Sequence, residues 1–319
     1  MKNILITSAG KRVALTKVFK ETLTKFFSDG KVYITDMNPM MAPVSYVADG
    51  AIKVPRVTSE DYIAILQEIC EKYDIGLIIP TIDTELAILA ANKDIFKRKG
   101  VIVDVSDYDF IMTCRDKRNT SDFFEQHQIE YPKLYDRNHL QYPLFAKPYD
   151  GSLSTNLHYL KSADEMTPEI LNDAKLIFME YIDKKIWEEY TVDIYYNKYG
   201  DAIEIVPRKR IEIRAGEINK GLTIKNEIVP YLKERIGHID GCHGCICIQL
   251  FYHPDTHEVR GIEINPRFGG GYPLSYAAGA NYPEYLIREH FLNEELVYTE
   301  DWQADLLMLR YDDAIYTRI

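Results

Sequence analysis

Residues 1–105 alternate short apolar runs with stretches in which apolar positions recur every three or four residues. Ile4-Leu5-Ile6 reads as a strand, and the small residues Thr7-Ser8-Ala9-Gly10 as a turn. Val13, Leu15, Val18, Phe19, Leu23 and Phe26 then fall on one face of a helix. Val32-Tyr33-Ile34 predicts a second strand ending at Asp36. Ser59 reads as the N-cap of a helix that carries Tyr62, Ile63, Leu66, Ile69, Cys70 and Tyr73 on one side. Leu77-Ile78-Ile79, stopped by Pro80, predicts a third strand. A helix from about Asp83 to Lys97 and a fourth strand at Val101-Ile102-Val103 follow. Strand–helix alternation of this kind predicts a parallel α/β sheet.

From about residue 106 the pattern changes. A helical stretch carries Lys117. Longer, tyrosine-rich strands follow at Leu144–Lys147, Leu157–Leu160, Leu176–Glu180, Glu189–Tyr196 and Ile203–Ile213. Runs of strands with few helices predict an α+β unit. The expected organisation is α/β plus α+β, with a boundary near Ser106 dividing residues 1–105 from residues 106–319 and no low-complexity linker between them.

Composition fits that picture. A chain of 319 residues suggests roughly two domains. Its 46% hydrophobic and 27% charged content is that of a globular protein. The formal net charge of −11 disfavours a nucleic-acid partner unless one face is locally basic, and leaves small anions as ligands of a lysine-lined cleft. Five cysteines, three of them crowded at Cys242, Cys245 and Cys247, do not form a secreted disulfide framework, so a reducing, cytoplasmic setting is expected. The start MKNILITSAGKR is too short in apolar residues for a signal peptide. No apolar run reaches the ~20 residues of a membrane helix, so no membrane association is expected.

Four segments carry candidate chemistry. SAGKR, after the first strand, is a strand-to-helix turn with one glycine; it reads as a phosphate-binding turn or, more simply, as a tight turn. In residues 245–267, CICIQLFYHPDTHEVRGIEINPR, the turn chemistry of His253-Pro254-Asp255-Thr256 separates two strand-like runs and predicts a hairpin. Alternation places Ile246, Ile248, Leu250, Ile262 and Ile264 on one face and Gln249, Glu263 and Asn265 on the other, with Gln249 almost opposite Glu263. One carboxylate and two amide oxygens suit a hard cation such as magnesium carrying phosphates, and Arg267 follows on that face. An ordinary hairpin with a solvated polar face has the same pattern. FAKPYDGSLSTN, 145–156, ends a strand at Lys147 and enters a loop of small and hydroxyl residues, Gly151, Ser152, Ser154 and Thr155, suited to wrapping phosphates or to a plain surface hairpin. FMEYIDKKIWEEYTVDIYY, 178–196, offers a hinge that pairs with an adenine edge and a carboxylate that accepts from ribose hydroxyls, or two acidic strand ends facing water.

Taken in order, DK at 116–117, KP at 147–148, MEYI at 179–182, WEEYTVD at 187–193, IQLF at 248–251 and EINPR at 263–267 resemble the ATP-grasp superfamily, most closely a single unit of the carbamoyl-phosphate synthetase large-subunit type. The resemblance spans nearly the whole chain: a Rossmann-like pre-ATP-grasp domain, including PTIDTEL at 80–86, followed by a two-lobed ATP-grasp domain. It implies ATP and Mg2+ as cofactors, with Mn2+ as a substitute. It implies that Lys117 and Lys147 contact ATP phosphates and that the loop with Ser152 closes over them. Glu180, Tyr181 and Ile182 would line the adenine pocket. Glu189, with Glu188 as the neighbouring alternative, would hold the ribose. Gln249, Glu263 and Asn265 would bind the metal, and Arg267 would steady the transferred phosphoryl group. The loop DGSLST carries one glycine where many relatives have several. The implied activity is a carboxylate–amine, or carboxylate–thiol, ligase acting through an acylphosphate on small-molecule substrates, and relatives imply a homodimer.

Two negative reactants must meet in line, which calls for lysines, an arginine and magnesium in one site. VPRKRIEIRAGE, 206–217, sets Arg208, Arg210, Glu212 and Arg214 two apart on one strand face. Arg210, then Arg208 and Arg214, are the expected substrate or phosphate contacts, against a basic solvated strand. The glycine-rich loop RFGGGYPLSYAAGANYPEYLI, 267–287, follows the metal residues and either shapes the acceptor pocket or serves close packing. Other readings are a zinc site at CHGCIC, whose C-x-x-C-x-C spacing lacks a second pair, against buried free cysteines; a non-catalytic ATP-binding sensor on the same fold; and a nicotinamide dehydrogenase, for which the glycine fingerprint is missing.

Overall fold

The computed structural model describes residues 2–151, 155–214 and 216–318. Five parallel strands, β1 (Asn3–Thr7), β2 (Val32–Asp36), β3 (Gly50–Lys53), β4 (Ile75–Pro80) and β5 (Ile102–Val103), form the first sheet in the order β3-β2-β1-β4-β5. Helices α1 (Val13–Phe26), α2 (Tyr62–Lys72) and α3 (Asp83–Lys97) make the crossovers. β1 and β4 read as continuous apolar runs because both faces are covered: Ile4 and Ile6 enter one core, Leu5 the other. The edge strand β3 escaped the sequence pattern because its residues are half-buried or exposed and it opens on a glycine. Ser59 is not the cap of α2. The helix starts at Tyr62, Asp61 holds the cap position, and the Ser59 hydroxyl donates to the Asp61 carboxylate at 2.5 Å.

Helices α4 (Tyr108–Arg115) and α5 (Lys117–Gln126) lead to a four-stranded antiparallel sheet. Its strands are β6 (Leu134–Tyr135), β7 (Leu144–Pro148), β8 (His158–Leu160) and β9 (Leu176–Glu180), in the order β6-β9-β7-β8, with the short helix α6 (Pro168–Asn172) before β9. This sheet has a small core of its own: Leu144, Ala146, Leu160, Leu176 and Phe178. The third sheet is antiparallel. It contains β10 (Glu188–Tyr196), β11 (Ala202–Arg214), β12 (Glu217–Thr223), β13 (Gly244–Tyr252), β14 (Val259–Asn265) and β15 (Leu307–Leu309), in the order β14-β13-β10-β11-β12-β15. Helices α7 (Ile228–Ile236), α8 (Tyr272–Ala277) and α9 (Tyr282–His290) complete the chain.

One core runs from the first sheet through α1 into the six-stranded sheet. Phe19 of α1 meets Phe268 edge-on with ring centroids 5.5 Å apart, and Phe27 meets Phe291 at 5.9 Å. Burying a side chain such as Phe19 contributes about 1.5–3 kcal/mol. This seam therefore fixes the parallel sheet against the C-terminal strands. Among the described residues, no helix is long and apolar enough to cross a membrane.

Candidate active site

A cleft of about 710 Å³ opens where the three sheets meet. Arg12 and Thr81–Thr84 border it from the parallel sheet. β7 and β9 border it from the small sheet, and β10, β11, β13 and β14 from the large one. The parallel sheet contributes the carboxyl ends of β1 and β4, where side chains and free backbone groups of α/β sheets converge on ligands.

The β13–β14 hairpin sets the floor. Gln249 pairs directly with Glu263, as the turn chemistry predicts. Next to this pair the register slips, and Leu250 pairs with Gly261. Ile246, Ile248, Leu250 and Ile264 enter the core, whereas Ile262, skipped by the bulge, is half-buried at the cleft rather than with them. Glu263 Oε1 accepts from Gln249 Nε2 at 2.8 Å and from Asn265 Nδ2 at 3.1 Å, and Glu263 Oε2 lies 3.8 Å from Lys117 Nζ. Among the described residues, no group of three or more His, Cys, Asp or Glu is placed to hold a metal. A single carboxylate with two amides fits magnesium that arrives with phosphate oxygens filling the rest of its shell.

Lys147 lies one residue before the end of β7 and is only 7% exposed, yet its ammonium makes no hydrogen bond or ion pair within 4 Å among the described residues. Burial pushes its pKa down to about 8, with Lys117 acting in the same direction and Glu263 and Glu189 opposing. A buried cation left this way is stabilised by an incoming anion. Lys117 opens α5, where the Asp116 side chain caps the helix by accepting from Arg118 N at 2.9 Å. Its ammonium donates to Gly151 O at 2.6 Å, tying it to the loop after β7. Ser152 and Ser154 of that loop lie outside the described residues. From the Lys147 geometry we expect affinity for magnesium-ATP to weaken as pH rises through about 8, because the free ammonium then loses its proton. Titrating nucleotide between about pH 7 and pH 9 checks this. Lys147→Arg should flatten the profile, since a guanidinium stays charged throughout.

At the other end of the cleft, the Glu180 carboxylate is held by Arg260 Nη1 at 2.6 Å, Tyr181 lies against Tyr159 with centroids 4.2 Å apart, and Ile182 is buried at the wall. Strand alternation decides between the two neighbouring glutamates. Glu189 faces the cleft and joins Lys184 Nζ at 2.7 Å and Arg210 Nε at 3.2 Å. Glu188 faces away, toward Lys209 and the Tyr190 hydroxyl.

The β11 arginines differ from their expected arrangement. Arg208 borders the cleft, but its guanidinium is 1% exposed and forms a fork with Asp193, Nε to Oδ2 at 2.7 Å and Nη2 to Oδ1 at 2.8 Å. Ser275 Oγ at 2.6 Å and Cys247 Sγ at 3.0 Å also bond that carboxylate. A Cβ on Gly271 would collide with Arg208 Nη1, so this glycine permits close packing over the ion pair. Arg210 also donates to Thr191 Oγ1 at 3.2 Å. Beyond it, register slips at Arg210/Glu212 and Glu212/Ile213 break the two-residue alternation. Ile213 takes the cleft side, Arg214 turns out to Asp312 at 3.0 Å, and Glu212 pairs with Lys220. Arg214 is therefore not at the site. Arg267 reaches Asp83 Oδ2 through Nη2 at 2.8 Å and Phe268 O through Nη1 at 3.2 Å, while its buried Nε is unpaired. Cys242, Cys245 and Cys247 are buried free thiols.

Sequence reasoning missed Arg12, Asp83, Lys184 and Glu217, all of which border the cleft. The available signal for Arg12 was its place just past the central parallel strand, in SAGKR, which reads as a phosphate-binding turn or a plain tight turn without singling out the arginine. Glu217 opens β12, a strand absent from the sequence reading.

Comparison with known proteins agrees with this architecture. Residues 4–104 match the family model of the PylC-like N-terminal domain, and residues 172–313 match that of an ATP-grasp in the biosynthetic pathway with Ter operon. Together the two matches cover most of the chain, the second of them to an ATP-grasp model. Its fold is shared with biotin carboxylase of Campylobacter jejuni in a β,γ-ATP complex, at TM-score 0.73 and 14% identity over 96% of this chain and 74% of that one. N5-carboxyaminoimidazole synthetase of Staphylococcus aureus with ADP aligns at TM-score 0.68 and 14% identity over 89% and 76%. L-amino acid ligase of Bacillus licheniformis aligns at 0.67 and 15% over 91% and 74%. No curated protein matches the chain by sequence.

Proposed function

We propose that the protein is an ATP- and magnesium-dependent ligase that activates a small carboxylate as an acylphosphate and passes the acyl group to an amine or a thiol. The observation that carries this reading is the meeting, in one cleft, of the unpaired buried Lys147, the Lys117-bound loop, the Gln249–Glu263–Asn265 hairpin and Arg267. Similar folds crystallised with ATP analogue or ADP support a nucleotide here.

In this reading Lys117 and Lys147 lie along the triphosphate, and Glu180, Tyr181 and Ile182 border the base. Glu189, held by Lys184 and Arg210, presents its carboxylate to the ribose. Glu263, with the amides of Gln249 and Asn265, holds magnesium, which screens the phosphate charge when bound. Arg267, anchored by Asp83, faces the phosphoryl group in transit. No protein nucleophile is required, so the chain's task is positioning and charge neutralisation. Phosphate release from magnesium-ATP should rise on addition of the right acid in a panel of small carboxylates with amine acceptors. Tight nucleotide binding with no acid-dependent release would instead indicate a sensor.

A further inference from the structure

The acid substrate needs a cation that the triphosphate does not occupy. The arginines around the cleft can be sorted by their place and their commitments: Arg115 ends α4, two residues before Lys117, and acts on Asp150 of the loop after β7, so it belongs to the Lys117 side. Arg208 is locked to Asp193, Arg210 to Glu189, and Arg267 to Asp83. Arg12 differs. It stands at the start of α1, directly after the turn that follows β1. Its Nη2 donates to Thr81 O at 3.3 Å, and it forms no ion pair among the described residues. The nearby carboxylates are bound elsewhere: Asp83 to Arg267 at 2.8 Å and Glu217 to Arg310 at 3.1 Å. Burial, reinforced by Arg267, lowers the guanidinium pKa, as expected of a charge short of counter-anions.

The position is rigid. Arg12 N donates to Ala9 O at 2.7 Å, closing the turn. Thr81 Oγ1 donates to Thr7 O at 3.0 Å and Ser8 O at 2.9 Å, which binds the ends of β1 and β4 together beneath the side chain.

Resting on the ligase reading above, we propose that Arg12 is the clamp for the carboxylate of the acid substrate. The acid then docks against the parallel sheet while the triphosphate lies against Lys117 and Lys147 on the other side of Arg267. A guanidinium presents two parallel donors that match one carboxylate. A second negative group would meet no uncommitted arginine on this wall among the described residues. The substrate class is therefore a small monocarboxylic acid, not a dicarboxylic or phosphorylated one.

The test is phosphate release from magnesium-ATP with three groups of acids (monocarboxylic, dicarboxylic and phosphorylated), using wild type, Arg12→Met and Arg12→Lys. A monocarboxylic acid should stimulate the wild type best. Arg12→Met should raise the KM for that acid by about 50-fold or more while the KM for ATP stays within about twofold. Arg12→Lys keeps charge but not the fork, and should raise the acid KM by about tenfold, which retains the test if the methionine variant folds poorly. An unchanged acid KM in both variants overturns the clamp and leaves the ligase reading intact. Best stimulation by a dicarboxylic or phosphorylated acid overturns the substrate class. No stimulation of wild type by any acid removes the ligase reading and the clamp with it.

Discussion

Glu263→Gln is expected to reduce turnover by at least about a thousandfold, to weaken magnesium-dependent nucleotide binding, and to leave the thermal midpoint within about 2 °C of wild type. The candidate metal set holds one formal negative charge, so a neutral amide there removes all of it. Glutamine retains the shape, and one oxygen can still accept from Gln249 and Asn265, which donate at 2.8 and 3.1 Å. Glu263 sits at the cleft with its side chain 26% exposed, so packing changes little. Loss of its charge would also leave Lys117 and Lys147 facing each other with less compensation, since Glu263 opposes the burial that lowers the Lys147 pKa. Steady-state phosphate release, nucleotide titration with and without magnesium, and a thermal melt check the three parts. Wild-type turnover in this variant would move the metal elsewhere.

Asp193→Ala should cost about 3–5 kcal/mol of stability, because it strands a fully buried guanidinium. Asp193 has no solvent exposure and accepts from Arg208 twice, Ser275 and Cys247. Removing the carboxylate leaves those donors unpaired at the base of the cleft. Urea unfolding reads the loss. Pairing it with Arg208→Met should recover much of it, since both charges then leave the interior together. If the single variant lost less than about 1 kcal/mol, water would have to reach Arg208, which its 1% exposure argues against.

Features that depend on local chemistry were legible in the sequence. The bounds of α3 at Asp83 and Lys97 and the pairing of Gln249 with Glu263 follow from apolar spacing and turn residues close in the chain. The edge strand β3 was not, because it carries no continuous apolar run, and β15 was not, because its Leu307-Met308-Leu309 is only three residues long. In β11, alternation held up to Arg210 and failed after it. The slip there arises from pairing with β12, a strand the sequence did not suggest. Glu189 was preferred with Glu188 as its alternative, and which of the two faces the cleft is set only by the phase of β10 between its neighbours on both sides. Arg12 was hidden for a different reason. Its environment is made by residues about 70 and 255 positions away, Thr81 and Arg267, and no local pattern encodes that.

The separation of the apolar interior into one shared mass and one small island has a mechanical consequence. The parallel sheet and the six-stranded sheet, joined through α1, behave as an anvil, and the β6–β9 sheet, with five buried core residues, is the lighter jaw. Cohesion scales with apolar area removed from water, so thermal excursions concentrate in that jaw. Lys147 rides on it, whereas Glu263 and Arg12 belong to the anvil. On the function proposed above, a triphosphate gripped between them would link the two pieces by charge rather than by grease, and the stiffness of the protein would then depend on its cargo.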